Sequence, residues 1–207
     1  MTKKLRALGR ILSTAPHWRP HHVADWARSW RHIRHPLDEG MPWLAWSCID
    51  WMEKNIRPGM RVFEYGGGGS TMYFLSRGCH VTTVEGNAQW FADLRKRTQA
   101  FGHRSDLRFV NSQTADPRLE QEYASQARFG GPWDVILVDG AFRGECVAVA
   151  KDCVAVGGCI IVDNTDLPEF AGACAQLSAA GFHRTVFRGL GYARVLPTTT
   201  EVYVPKA

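Results

Sequence analysis

The residues of greatest chemical interest form a glycine-rich segment, Val62 to Thr71, with the sequence VFEYGGGGST. Gly66 and Gly68 give a G-x-G pattern at the point where a strand-like apolar run meets a helix-like one. Glycines at such a junction let the backbone approach a ligand closely, and the first turn of the helix offers unpaired N–H groups. A dinucleotide fingerprint would carry a third glycine further on, but this chain has Thr71 at that position, after Ser70. The segment predicts a nucleoside ligand bound by the backbone.

Two acidic residues stand at the ends of consecutive predicted strands. Glu64 precedes the glycines inside the first strand, and Glu85 ends the next strand, HVTTVE, 21 residues later. A carboxylate beside a pyrophosphate is repelled, whereas one beside the cationic aminoacyl and sulfonium end of S-adenosylmethionine is attracted. A carboxylate at the end of the second strand can accept hydrogen bonds from both hydroxyls of a ribose. The two carboxylates therefore favour a nucleoside cofactor of this kind.

A third group of polar residues follows two later predicted strands. Asp139 ends the fourth strand, and Asp163 and Asn164 end the fifth, at the sheet edge where open α/β sheets bind ligands. Three oxygen ligands would suit Mg²⁺, with water and substrate completing the coordination. Alternatively, Asp139 is a hydrogen-bond acceptor or a base, and the Asp-Asn pair forms a turn. Arg143 either pairs with an anionic group of the substrate or is a solvated arginine at a helix start.

These residues must be positioned by a doubly wound α/β domain. Short apolar runs predict strands buried on both faces, and they alternate with helical or loop segments. The predicted strands are Arg61 to Tyr65, His80 to Glu85, Leu107 to Asn111, Asp134 to Asp139 and Cys159 to Asp163, and two further segments follow, Phe182 to Arg188 and Thr199 to Val204. The later helical or loop segments are predicted around Trp90 to Ala100, Leu119 to Arg128, Glu145 to Val156 and Glu169 to Ala180.

Basic residues are concentrated in the N-terminal segment. Met1 to Leu37 has eight Lys or Arg and one acidic residue, a net charge of +7, whereas Asp38 to Ala207 has a net charge of −2. The nearly neutral remainder gives little electrostatic support for nucleic-acid binding. Residues 1–40, which are rich in Trp and His, are predicted to form a helical arm, and 41–207 the catalytic domain. The arm either packs on the domain or contacts an anionic membrane surface or a partner.

Composition disfavours several other classes of protein. The six cysteines include no C-x-x-C pair, which argues against structural zinc and fits reduced thiols. No apolar run approaches the roughly 18 to 20 residues that a membrane span requires. We therefore expect a cytoplasmic protein, with peripheral membrane contact through residues 1–36 as the alternative. The sequence leaves the oligomeric state open.

Four segments together resemble the class I S-adenosylmethionine-dependent methyltransferases: E-x-G-x-G-x-S-T, VTTVE, DVILVDG and GGCIIVDN. The resemblance covers the chain from about Met41 onward and implies a Rossmann-like seven-stranded, mostly parallel sheet with helices on both faces and an antiparallel last strand. It also implies that Glu64, Gly66 and Gly68 hold the methionine moiety and Glu85 the ribose. The other cofactor-binding residues that we expect are Ser70, Thr71, Asn111, Ser112 and Asp139, with Asn111 to Gln113 flanking the adenine.

The D-G and D-N patterns add a partial resemblance to the metal-dependent O-methyltransferases of the catechol and caffeoyl-CoA type. It implies that Asp139, Asp163 and Asn164 hold a divalent cation, Mg²⁺, that binds the acceptor oxygen and lowers the pKa of the acceptor hydroxyl. The residues that flank VDGAFRGE depart from the catechol-type pattern.

The expected function is methyl transfer from S-adenosylmethionine, as in enzymes of the EC 2.1.1 class, to a hydroxyl of a small molecule or glycan. Asp139 and Arg143 are the candidate catalytic residues. Two alternatives stay open: a nicotinamide-dependent oxidoreductase on a Rossmann fold, and a non-catalytic cofactor-binding protein that docks through its basic N-terminal arm.

Overall fold

A computed structural model describes residue 14 and residues 18–31, 36–192 and 196–206 of the chain. Within these residues, seven strands form one sheet in the order β3-β2-β1-β4-β5-β7-β6. The strand β7 runs antiparallel to its neighbours β5 and β6, and the other adjacent pairs are parallel. This confirms the predicted Rossmann-like fold with its antiparallel last strand. The strands are β1 (Arg61–Tyr65), β2 (His80–Glu85), β3 (Ser105–Phe109), β4 (Trp133–Val138), β5 (Val154–Asp163), β6 (Phe182–Gly189) and β7 (Thr198–Pro205).

Helices cover the two faces of the sheet. Two of them start at side-chain caps, because Asn87 accepts a hydrogen bond from the N–H of Trp90 and Asp116 accepts one from the N–H of Arg118. The helices are α1 (Pro20–Arg31), α2 (Pro36–Glu39), α3 (Trp46–Asn55), α4 (Gly69–Ser76), α5 (Ala88–Thr98), α6 (Pro117–Ser125), α7 (Arg143–Ala150) and α8 (Ala171–Ala179). No helix of the described residues is long and apolar enough to span a membrane.

Alternate side chains of β1 pack into core clusters on opposite faces of the sheet. Phe63 and Tyr65 pack into a cluster that also contains residues of α6, α7 and α8. Val62 points to the opposite face and packs with residues of α3 and α4. Successive side chains of a strand point to opposite faces, so both faces of the sheet are buried, as the continuous apolar strands predict.

The fifth strand is longer than predicted. It begins at Val154 rather than Cys159, and its pairing with β4 shifts register between Trp133 and Val135. Gly157 has φ +78°, and a Cβ on Gly158 would lie 2.8 Å from the Asp134 carbonyl oxygen. These glycines interrupt the apolar pattern, and the pairing with β4 resumes on both sides of them. The sequence therefore places the start of the strand after them and extends the preceding helix too far.

The described part of the N-terminal arm packs on α3. Trp18 and Trp26 contact the core cluster on that face, and Nε2 of His22 lies 2.8 Å from Oδ2 of Asp50. Nε2 of His21 lies 3.2 Å from the same oxygen. Nδ1 of His22 accepts a hydrogen bond from the Arg19 N–H, so in the neutral ring Nε2 carries the proton and donates it to Asp50. This arrangement anchors the arm and does not fit a metal bound at that nitrogen.

The rest of the arm is not described. Leu5, Leu8, Ile11 and Leu12 have the spacing of an amphipathic helix, and they lie outside the described residues. The division into an arm of residues 1–40 and a catalytic domain of residues 41–207 stays a prediction.

Candidate cofactor and acceptor site

A cavity of about 280 Å³ lies at the carboxyl ends of β1, β2 and β4. The strand order reverses between β1 and β4, and open α/β sheets bind ligands at that switch point. Of the expected site residues, Gly66, Gly68, Ser70, Glu85, Ser112 and Asp139 line this cavity. The other lining residues are Trp43, Gly67, Gly69, Trp90, Tyr123, Gly140 and Ala141.

The backbone of the glycine segment packs directly against the backbone of the loop that follows β4. Gly66 has φ +84°, and a Cβ on it would lie 2.7 Å from the Cα of Gly140. The N–H of Asp139 donates to the carbonyl oxygen of Tyr65 at 3.1 Å, which holds the two loops together. Any side chain on Gly66 or Gly140 would force these loops apart. The glycines thus allow the two backbones to pack in direct contact, and both residues line the cavity, where a ligand can contact main-chain groups.

Thr71 is buried beneath the glycine segment and stabilises it with a hydrogen bond. Its Oγ1 accepts a hydrogen bond from the N–H of Gly68 at 3.0 Å, and the residue has no exposed surface. Ser70, one residue earlier, lines the cavity. The threonine at the position of the missing third glycine therefore orders the loop, whereas we predicted that it would contact the cofactor.

Glu64 lies beneath the glycine segment and not on the cavity wall. It is fully buried, and the Thr83 hydroxyl donates to its Oε2 at 2.9 Å. Burial raises the pKa of Glu64 to about 7, and hydrogen bonds from the hydroxyls of Ser70, Thr71 and Thr83 oppose that rise. The predicted contact between Glu64 and the methionine moiety is not available in this geometry without movement of the loop.

Glu85 stands on the cavity wall, as predicted for the residue that binds the ribose. Its Oε1 accepts hydrogen bonds from the N–H groups of Gly86 (2.8 Å) and Asn87 (2.7 Å), and its Oε2 accepts one from Gly67 (3.0 Å). A carboxylate offers about four acceptor sites. Three are used by the backbone, so the static geometry has room for about one ligand hydroxyl where two were expected.

The end of β3 approaches the same wall. Ser112 packs against Gly86 so closely that a Cβ on the glycine would lie 2.0 Å from the serine Oγ. Asn111 instead accepts a hydrogen bond from the Gln113 N–H with its own Oδ1, and it does not line the cavity. This turn ends β3 two residues earlier than predicted and places Ser112, not Asn111, against the cavity.

Three aromatic residues of the cavity wall were not predicted. The Trp90 indole N–H donates to the Gly67 carbonyl oxygen at 2.6 Å, and the Tyr123 hydroxyl donates to that of Val84 at 3.3 Å. Trp43 is 43% exposed, which is unusual for a side chain of its size and leaves its ring open to a ligand. The only sequence signal for them was the position of Trp90 in the first turn of a helix that follows Glu85.

Arg143 is almost completely enclosed, with 12% of its side chain exposed. Its Nη2 donates to Oδ1 (2.8 Å) and the carbonyl oxygen (3.2 Å) of Asp139. Its Nη1 donates to the carbonyl oxygen of Asp163 (2.6 Å) and to Oδ1 of Asn164 (3.2 Å), and its Nε donates to the carbonyl oxygen of Gly140 (3.0 Å). Arg143 is the first residue of α7, as one sequence interpretation predicted, but it is not solvated, and its donors are engaged by the chain and not by a substrate anion.

The residues predicted to hold Mg²⁺ do not fit a divalent cation in this arrangement. The carboxylate of Asp163 is buried, and its Oδ1 accepts a hydrogen bond from the Thr200 hydroxyl at 2.6 Å. Oδ1 of Asp139 and Oδ1 of Asn164 both contact Arg143. Two of the oxygens predicted to bind the metal thus contact a cation that belongs to the chain, and the third group, the Asp163 carboxylate, is bonded to Thr200. The second interpretation, Asp139 as acceptor or base and the Asp-Asn pair as a turn, therefore agrees better with the geometry. Asn164 has φ +57°, as turn residues often do.

Comparisons with solved structures confirm the fold. The chain is 15% identical to a candidate O-methyltransferase from Klebsiella pneumoniae, with 99% of each chain covered and a TM-score of 0.59. It is 12% identical to an rRNA methylase from Streptococcus thermophilus, with 84% of this chain and 99% of the other covered and a TM-score of 0.58. It is also 12% identical to a precorrin-6y C5,15-methyltransferase from Geobacter metallireducens, covering 77% of this chain and 87% of the other with a TM-score of 0.55.

These methyltransferase structures share the fold of this chain, as the resemblance seen in the sequence implied. No family model matches the chain, and no curated protein matches it in sequence.

Proposed function

We propose that this chain binds S-adenosylmethionine in the cavity between β1, β2 and β4 and transfers the methyl group to a hydroxyl of a small molecule or glycan. The observation that carries the proposal is the placement of Glu85 and the glycine segment on one wall of a single cavity, with Asp139 on the adjoining wall. The first two groups suit a nucleoside, and the third suits a reacting hydroxyl.

The residues present fit this cofactor. Gly66 and Gly140 pack backbone against backbone, which only glycine allows, and this close packing places main-chain groups of both loops on the cavity wall. The charged residues among those that line the cavity, Glu85 and Asp139, are both acidic. A cationic ligand is attracted to such a wall. When bound, the sulfonium supplies a methyl carbon that is already activated for displacement.

In this reaction the residues of the chain position the methyl donor and the acceptor, and one of them accepts a proton. The cavity walls hold donor and acceptor in line and exclude water, which can supply much of the rate enhancement of a two-substrate displacement. Asp139 lies on the wall with its carboxylate fixed by Arg143, so it is placed to accept the proton from the acceptor hydroxyl. No covalent nucleophile is required.

The acidic wall also limits the acceptor. Arg143, the arginine beside Asp139, has its donors engaged by the chain, so the described part of the cavity has no cation ready for a phosphate or carboxylate. The open ring of Trp43 offers a flat surface that suits a planar or sugar ring. We therefore expect a neutral acceptor with a ring, and not an anionic one.

Calorimetry and methyl transfer together test the proposal. Titration with S-adenosylmethionine and S-adenosylhomocysteine should show a single site, and Gly66→Val should abolish it. Gly172→Ala, at an exposed position of α8 with open space around it, serves as the control. Transfer of labelled methyl should then be screened over neutral phenols, polyols and glycans. Binding without transfer to any acceptor would support the non-catalytic alternative, and NADH binding in place of S-adenosylhomocysteine would overturn the cofactor assignment.

A further inference from the structure

Arg143 is bonded to the chain at every donor it has. A guanidinium carries five N–H groups. Here the acceptors are also five: the carbonyl oxygens of Asp139, Gly140 and Asp163, and the side-chain oxygens of Asp139 and Asn164. Full use of a planar donor set fixes both the position and the orientation of the group. The guanidinium is therefore a rigid part of the site.

The acceptors of Arg143 lie at the ends of β4 and β5, the two strand ends whose oxygens were predicted to bind Mg²⁺. Asp139 and Gly140 follow β4, and Asp163 and Asn164 are at the end of β5. The amide Nδ2 of Asn164 donates to Thr198 at 3.0 Å, which keeps its Oδ1 directed at Arg143. One cation thus ties the loops after β4 and β5 together through oxygen ligands.

The guanidinium is also shielded from solvent on one side. Its Cζ lies 5.1 Å from the centroid of the Phe170 ring, an arrangement in which the ring face attracts a cation. A buried charge of this kind is costly to displace, because its partners would be left unpaired. An incoming divalent ion would therefore have to expel a cation that is both fully bonded and covered.

We propose that Arg143 occupies the position of the divalent cation of metal-dependent O-methyltransferases, so that this site works without a metal. Arg143 is a positioning residue: it holds the Asp139 carboxylate at the cavity wall and joins the loops after β4 and β5. That Asp139 receives a proton from the acceptor rests on the proposed function. The exclusion of the metal does not, because it follows from the occupied oxygens alone.

The experiment measures Mn²⁺ binding to the full chain, with S-adenosylhomocysteine present, from the loss of the electron paramagnetic resonance signal of free Mn²⁺. Wild type should show no site that depends on Asp139, so Asp139→Asn should leave its titration unchanged. Arg143→Ala opens the oxygens, and we expect it to bind Mn²⁺ at least about tenfold more tightly than wild type. The double variant Arg143→Ala with Asp139→Asn should lose that gain.

Two further variants test whether a gain in Mn²⁺ affinity comes from the loss of the Arg143 charge or from general destabilisation of the protein. Arg143→Lys keeps a cation at the site and should not gain Mn²⁺ affinity. Arg97→Ala removes an arginine paired with Asp38 at the surface, away from the cavity, and should titrate as wild type does. A merely structural role for Arg143 predicts no gain of metal affinity in any of these proteins.

Either of two results would overturn the proposal. One is a stoichiometric Mn²⁺ site in wild type that disappears in Asp139→Asn. The other is a folded Arg143→Ala variant, by circular dichroism, whose Mn²⁺ affinity equals that of wild type. Should Arg143→Ala fail to fold, the comparison of wild type with Asp139→Asn still decides. Failure of the proposed function would show separately, as an absence of S-adenosylhomocysteine binding to wild type.

Discussion

The Thr83 hydroxyl donates a hydrogen bond to Oε2 of Glu64 at 2.9 Å, and neither residue has any exposed surface. Burial raises the pKa of Glu64 from 4.5 to about 7. Between these two values the unfolded chain has lost the proton that the folded chain keeps, so the free energy of unfolding falls as the pH rises. The fall should stop above about pH 7, where both states are ionised, and amount to on the order of 3 kcal/mol.

Glu64→Gln tests this dependence, because glutamine does not titrate. We expect the stability of wild type, measured by urea unfolding, to drop relative to Glu64→Gln between about pH 5 and about pH 8. Glu53→Gln changes an exposed carboxylate paired with Arg77 and should follow the wild-type profile. Parallel profiles for wild type and Glu64→Gln would mean that Glu64 is already ionised in the folded protein.

Glu85→Ala is expected to weaken the binding of S-adenosylhomocysteine by about 1.5 to 3 kcal/mol, the cost of losing hydrogen bonds to a charged group. Part of that loss comes from the loop, since Glu85 also accepts from the N–H of Gly67. Isothermal titration calorimetry measures the change, and circular dichroism checks the fold. Glu122→Ala removes an exposed carboxylate on α6 and should bind as wild type does. Unchanged affinity in a folded Glu85→Ala would remove the ribose assignment.

Gly140→Ala is expected to destabilise the protein by roughly 1 to 3 kcal/mol, because the new methyl group has no space. Its Cβ would lie 2.3 Å from the Tyr123 hydroxyl and 2.7 Å from the backbone nitrogen of Gly66. Gly144→Ala, four residues along, meets no atom within 4 Å and should leave stability unchanged or raise it by up to about 1 kcal/mol. Thermal unfolding of the two variants compares them directly. Equal midpoints would show that the loops after β1 and β4 can separate freely.

Deletion of residues 1–36 is expected to leave a folded domain that still binds S-adenosylhomocysteine. Its melting temperature should fall, because the contacts of Trp18 and Trp26 with the core and the His22 to Asp50 hydrogen bond are lost. Asp50→Ala breaks only the contacts of this carboxylate with His21 and His22 and should lower the melting temperature less. A truncated chain that does not fold would show that the arm belongs to the core of the domain.

The sequence predicted the sheet well because its strands are short apolar runs that end in functional residues. The strands β1 and β2 have the predicted bounds, and β4, β6 and β7 differ by a residue at one or both ends. The errors fall where local chemistry interrupts the pattern, as at Gly157 in β5 and at the Asn111 turn after β3. Neither interruption can be read from apolar periodicity.

The site was predicted as a set of residues but not as a set of contacts. Glu85, Ser112 and Asp139 stand on the cavity wall, yet Glu64 and Thr71 turned out to support the loop. The spacing of Asp139 and Arg143 is that of an ion pair on a helix, and it was the available sign that the arginine is engaged. The acceptors of its Nη1 come from the end of β5, a distant part of the chain, and only the fold brings them there.

Thr200 links parts of the cavity wall that are synthesised at different times. Its Oγ1 donates to Asp163 and accepts from the Ala45 N–H, so one hydroxyl near the start of β7 joins the end of β5 to the segment that carries Trp43. During synthesis the glycine segment leaves the ribosome long before this threonine does. Chains fold largely from the N-terminal side as they emerge, but here the wall next to Trp43 cannot be fastened until β7 is available. A nascent chain therefore carries an unfinished cavity until β7 has been synthesised.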